Sequence, residues 1–169
     1  YMLETHFSLS RNAIRFQTNS FGKPELMDVK NLHFNLAHSG NWVVVAIDKN
    51  PIGIDIEEMK SIDIDVMKEV LTTQEIKSLQ ALPANEQPSF FYDLWTLKES
   101  YVKYKGKGFT IPPSSISVDV STENFIKLFD INSKQLPCFF QQLKIDAAYK
   151  MALCTYQNST VTYLPFTQQ

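Results

Sequence analysis

Cysteine is scarce in this 169-residue chain: only Cys138 and Cys154 occur, beside three histidines. Two thiols at that separation match no zinc-ligand spacing and cannot build the disulfide framework of a small secreted domain. They fit free thiols in a reducing cytoplasm, with a single disulfide as the alternative. No apolar run approaches the length that crosses a bilayer, and the opening residues have no signal-peptide layout. A cytoplasmic location without a membrane partner is therefore expected. The formal net charge of −2 gives no case for nucleic acid as a partner. There is no G-x-x-x-x-G-K-[ST] loop and no kinase-like signature. Short-period repeats and low-complexity tracts are absent. What is present is 44% hydrophobic and 20% charged residues, a globular composition in a chain long enough for one core or two small lobes.

Two short segments carry the chemistry. The first is Gly53-Ile54-Asp55-Ile56-Glu57. Strand alternation sends Asp55 and Glu57 to one face and the isoleucines to the other, where they can anchor a core. The carboxylates then stand roughly 7 Å apart at Cα. Like charges at that separation repel unless a cation lies between them. Oxygen-only ligands suit Mg2+ or Ca2+ rather than zinc. Gly53 leaves room for a close backbone or ligand approach. An edge strand with a solvated acidic face accounts for the same pattern.

The second segment is Trp95-Thr96-Leu97-Lys98-Glu99-Ser100-Tyr101-Val102-Lys103. Phe90, Leu94, Leu97, Tyr101 and Tyr104 recur at helical spacing, which predicts a helix over 89–105. Glu99 and Lys103 lie four apart and share a face away from the apolar stripe. As an exposed pair they would contribute only a few tenths of a kcal/mol. Lys105-Gly106-Lys107-Gly108 supplies helix-stop chemistry.

The remaining elements read as an α+β fold. Strands are predicted at 32–36, 42–48 and 52–57, the last two joined as a hairpin across Asn50-Pro51. Short helices are predicted at 65–71 and 73–82, with Thr72 or Thr73 as cap. A linker at 83–88 and a break at Pro112-Pro113 follow. Strands at 115–120, 127–131, 138–145 and 149–155 form an antiparallel sheet.

A G-I-D-I-E strand followed by W-x-x-K-E-x-x-x-K resembles the signature of the 4′-phosphopantetheinyl transferases of the surfactin-synthetase-activating type. Phe21-Gly22-Lys23-Pro24 is similar to that family's aromatic-G-K-P turn. Asn35-Leu36-Ala37-His38-Ser39 is similar to its N-x-S-H-S element, and Thr73-Gln74-Glu75 to its acidic residue after a helix. The resemblance implies two pseudo-symmetric lobes, each a small antiparallel sheet packed by a long helix. Residues 1–51 would be the remainder of the first lobe and 52–165 the second.

It also implies an enzyme that transfers the 4′-phosphopantetheine arm of coenzyme A to a serine of an acyl or peptidyl carrier protein. The reaction would depend on Mg2+, release adenosine 3′,5′-bisphosphate, and serve pathways such as nonribosomal peptide biosynthesis. Asp55, Glu57 and Glu99 would hold Mg2+. Lys98 and Lys103 would place positive charge around the phosphates. Glu99 would take the serine proton, directly or through a bound water, with Glu75 assisting. Lys23 and His38 would meet the nucleotide end of coenzyme A. Residues 59–72 match the family's carrier-docking region, although their apolar side chains could equally pack a short helix. Lys103, Lys105 and Lys107 could steer an acidic carrier.

Two departures stand out. Ala37 stands where the family usually has serine, and by the resemblance the missing hydroxyl would remove a hydrogen bond of about 1 kcal/mol to the nucleotide. The chain opens on Tyr1, and members of this type carry further residues ahead of the aromatic-G-K-P turn. The resemblance thereby implies an incomplete first lobe and a partly lacking nucleotide pocket. A longer form would be monomeric, whereas this form would expose apolar surface that a second copy could cover. The alternative function is an impaired member that binds Mg2+ or a carrier protein without efficient transfer.

Overall fold

A computed structural model describes residues 2–122 and 125–164. Tyr1 and Pro165, the outer bounds of the two expected lobes, lie outside the described residues. A short helix α1 (Met2–Phe7) leads into a small hairpin of β1 (Phe16–Thr18) and β2 (Pro24–Leu26). A second hairpin pairs β3 (His33–Ser39) with β4 (Trp42–Asp48) across Gly40-Asn41. Then come β5 (Ile52–Glu58), α2 (Ile64–Val70), α3 (Thr73–Gln80) and the 19-residue α4 (Gln87–Lys105). Strands β6 (Ser117–Thr122), β7 (Phe125–Phe129), β8 (Phe139–Leu143) and β9 (Tyr149–Thr155) complete the fold. The larger sheet is five-stranded and antiparallel in the order β5-β9-β8-β7-β6. The α+β class follows the expectation, and the part beginning at Ile52 is an antiparallel sheet packed by one long helix.

The helix starts follow local chemistry. Asp63 caps α2 by accepting from the amides of Asp65 and Val66. Thr72 and Glu75 form a reciprocal capping box on α3. Pro88 sits in the first turn of α4, and Gly106 ends that helix at φ 62, a left-handed conformation that glycine adopts without a Cβ penalty.

Two sequence expectations are corrected. The run 42–48 does not form a hairpin with 52–57: β4 pairs with β3, and β5 pairs with β9 in the register Asp55↔Ala152. The reason lies in burial. Ile52 through Ile56 are all buried, as in a strand covered on both faces. Strand β4 instead keeps Val43 and Val45 exposed. Nor does α4 present Glu99 and Lys103 on a solvated face. Nine of its residues are buried, among them Phe91, Thr96, Lys98, Ser100 and Val102, because the helix is enclosed between the sheet and α2–α3.

Among the described residues, three apolar clusters hold this together. Leu97, Tyr101 and Val102 pack with Leu128, Phe140 and Cys154 between α4 and the sheet. Ile52, Ile54 and Ile56 pack with Ala37, Met151 and Leu153 between the sheet and the β3–β4 hairpin. Met67, Val70, Leu79, Phe91 and Leu94 join α2 and α3 to α4. The buried residues of 59–72 therefore serve packing, while Ile64 points outward at 64% exposure. Leu36, Val43 and Val45 leave an apolar outer face on the β3–β4 hairpin. Among the described residues, no helix is long and apolar enough to cross a membrane. Cys138 and Cys154 are buried free thiols.

Candidate functional site

Strand β5 is an edge strand, but its acidic face is not solvated. Gly53 explains why. A Cβ there would overlap the carbonyl oxygen of Ser100 and the backbone nitrogen of Tyr104. Only glycine lets the α4 backbone lie directly on β5. That close crossing brings the helix side chains over Asp55 and Glu57. Lys103 Nζ lies 2.6 Å from Asp55 Oδ1, and Asp55 is 2% exposed. Asp55 Oδ2 is buried without a hydrogen-bond partner.

Electrostatics bind the group together. Burial raises the Asp55 pKa from 3.8 to about 7 against the pull of Lys103, and Glu57 and Glu99 push it the same way as burial. Burial also raises Glu57, opposed by the Ser39 hydrogen bond and by Lys103, His38 and Lys60. Glu99 is raised by burial and by Glu57, and lowered by Lys103. Lys103 is the ammonium that acts on all three carboxylates, and the charge of Glu57 raises the proton affinity of both Asp55 and Glu99. An all-oxygen donor set with an unpartnered buried oxygen fits a hard divalent cation. Among the described residues, no group of three His, Cys, Asp or Glu side chains is arranged to hold a metal ion. Mg2+ does not require one, because it takes one or two carboxylates and completes its shell with water and phosphate oxygens.

The other sequence candidates stand elsewhere. Lys98 is wholly buried, its Nζ 2.5 Å from Glu75 Oε2 and 2.9 Å from the Val70 carbonyl oxygen. Glu75 also accepts from the amides of Thr72 and Val118. These two residues therefore pair with each other and tie α2, α3, α4 and β6 together, instead of joining the Asp55 group. Burial lowers the Lys98 pKa, with Glu75 opposing. Lys23 donates to the carbonyl oxygens of Ile52 and Lys103 at 3.0 and 2.6 Å, so its ammonium is engaged in fastening the turn after β1 to β5 and α4. Burial lowers its pKa. A cleft of about 510 Å³ beside it, lined by Pro24, His33, Phe34, Tyr104 and Lys105, contains none of the three carboxylates. His38 is exposed on β3, and its charge reaches Glu57. Ala37 faces the core at 3% exposure. A side chain there points away from the His38 face, so the missing hydroxyl is not a loss on the exposed face of β3.

Residue-by-residue reading missed the contribution of Asn35 and Ser39. Asn35 Oδ1 accepts from the Ile54 amide at 2.8 Å, and Ser39 Oγ accepts from the Glu58 amide at 3.0 Å. Both side chains satisfy amides of the edge strand β5, four residues apart on each strand. Ser39 also donates to Glu57 Oε2 at 3.0 Å. The available signal was alternation, which puts both on the face of β3 opposite His38.

Residues 51–154 match the 4′-phosphopantetheinyl transferase superfamily. The chain is 37% identical over 153 residues to 4′-phosphopantetheinyl transferase Sfp of Bacillus subtilis, covering 90% of this chain and 68% of that protein. It is 36% identical over 168 residues to 4′-phosphopantetheinyl transferase gsp of Aneurinibacillus migulanus, covering 99% of this chain and 68% of that protein.

Proposed function

The chain belongs to the 4′-phosphopantetheinyl transferase superfamily, and from that premise we propose that it moves the 4′-phosphopantetheine arm of coenzyme A onto a carrier-protein serine with Mg2+, releasing adenosine 3′,5′-bisphosphate. The observation that carries the reading is Asp55, a buried carboxylate with one oxygen on Lys103 and the other without a partner. Asp55 and Glu57 from β5 and Glu99 from α4 are the carboxylates offered to the ion, which would take one or two of them directly and reach the rest through water. Bound there, Mg2+ supplies charge neutralisation for the diphosphate.

The rest falls to the chain's own side chains. Lys103 places an ammonium at the same point, positive charge that a phosphate under attack gains most from in a water-poor site. Glu99 takes the proton of the carrier serine as its oxygen bonds to phosphorus and the phosphoanhydride bond breaks. Burial raises the proton affinity of Glu99, which brings a general base closer to neutral pH. His38, on the exposed side of β3, would meet the nucleotide phosphate. Lys98 and Glu75 support the fold beneath the site. Met59 to Thr72, with Ile64 outward, is the surface on which a carrier would land. Residues 1–51 and 52–165 act as parts of two lobes.

The test is incubation with coenzyme A, Mg2+ and an apo carrier protein, read by mass spectrometry. Wild type adds the phosphopantetheine mass and Asp55→Ala does not. An unmodified carrier with the wild-type chain, under conditions where coenzyme A binding is detected by calorimetry, would favour the impaired alternative.

A further inference from the structure

Glu57 differs from Asp55 in how it is held. Asp55 has the Lys103 ammonium at 2.6 Å. Glu57 is half-buried at the end of the same strand and its hydrogen bond is to a neutral hydroxyl, Ser39 Oγ. The direction of that bond is forced. The Glu58 amide can only donate, so Ser39 accepts there at 3.0 Å. The single hydroxyl proton is then left for Glu57 Oε2. One serine therefore reads a backbone amide and the adjacent carboxylate at once, and fixes the rotation of Glu57 relative to the strand.

The turn carrying Ser39 is itself clamped. The Asn41 amide donates to the Tyr149 hydroxyl at 3.1 Å. A Cβ on Gly40 would overlap that hydroxyl and come within 2.9 Å of Glu58 Oε2. Gly40 also has φ 52, in the region that favours glycine. Four residues earlier, Asn35 makes the equivalent edge contact to Ile54 without touching a carboxylate. The comparison separates two roles: Asn35 closes the strand edge, whereas Ser39 closes the edge and orients an acid.

We propose that Ser39, held by the Gly40–Tyr149 clamp, is a positioning residue that aims the Glu57 carboxylate at the Asp55–Lys103 group and thereby sets the affinity for a divalent cation. This rests on the metal reading given above. Hydrogen-bond partners of ligating carboxylates typically contribute about 10- to 100-fold in metal affinity.

The experiment uses Mn2+ alone as a spectroscopically visible probe, titrated by electron paramagnetic resonance into the full chain freed of metal. Thermal midpoints are recorded in parallel. Ser39→Ala is expected to weaken Mn2+ binding about 10- to 100-fold, Ser39→Thr to keep the wild-type affinity, and Asn35→Ala to lower the midpoint without changing the affinity. A Ser39→Ala protein that loses only thermal stability and binds Mn2+ like wild type, while Asp55→Ala loses Mn2+, overturns the role of Ser39 and leaves the metal reading standing. Undiminished binding in Asp55→Ala overturns both. Should Ser39→Ala fail to fold, Ser39→Cys, with its weak donor, makes the same comparison.

Discussion

Replacing Glu75 by glutamine leaves the Lys98 ammonium in the core without a counter-charge. Lys98 has no exposed side-chain surface and Glu75 has 9%, so solvent screens the pair little. The glutamate accepts three donors: Lys98 Nζ and the Thr72 amide on Oε2, and the Val118 amide on Oε1. Glutamine keeps one acceptor oxygen, and its NH2 faces a donor whichever way it turns. An orphaned buried donor costs about 1–3 kcal/mol, and removing one partner of a buried ion pair about 3–5 kcal/mol in all. For a chain of this length each kcal/mol lowers the thermal midpoint by about 2–4 °C, which gives a fall of roughly 6–20 °C.

Urea denaturation and calorimetry measure this directly. Adding Lys98→Met to Glu75→Gln removes the stranded charge and should recover most of the loss. The sign with pH also follows. Burial already lowers the Lys98 pKa, and loss of Glu75 lowers it further. Between that value and 10.5 the unfolded chain binds more protons, so the deficit shrinks as pH rises through the alkaline range. A Glu75→Gln protein within about 1 kcal/mol of wild type, or a double variant no better than the single one, would refute the structural role. A raised KM for coenzyme A at unchanged stability would return Lys98 to the phosphates.

Two further outcomes are expected beside the Asp55→Ala and Ser39 tests. In EDTA, the raised Asp55 pKa contributes stability that is complete below about 3.8 and is lost as pH rises through about 7. The thermal midpoint should therefore fall between about pH 5 and pH 8 more steeply in wild type than in Asp55→Asn, and Mg2+ should restore it at the upper pH; parallel curves would contradict this. Gly53→Ala forces a Cβ into the α4 backbone at Ser100 and Tyr104, at a cost of about 1–3 kcal/mol by urea denaturation. It should also abolish transfer by separating Lys103 from Asp55, so a stable, active Gly53→Ala would argue against the close crossing.

Local chemistry in the amino-acid order was enough to settle the α+β class, the short helices around 65–71 and 73–82, the long helix ended at Gly106, and the strands 42–48 and 149–155. It also settled the acidic strand and the Glu99–Lys103 helix, because alternation, capping and turn chemistry act over a few residues. Strand partners were not legible: β5 joins β9, nearly a hundred positions away in the chain, and the Asn50-Pro51 turn carried no trace of that pairing. Nor was the fate of the lysines. Lys98 and Lys103 are five apart on one helix, yet the first is sealed against Glu75 and the second meets Asp55. Which of two cations serves a site depends on what packs over each, and only the folded chain, with β5 pressed onto α4 at Gly53, determines that.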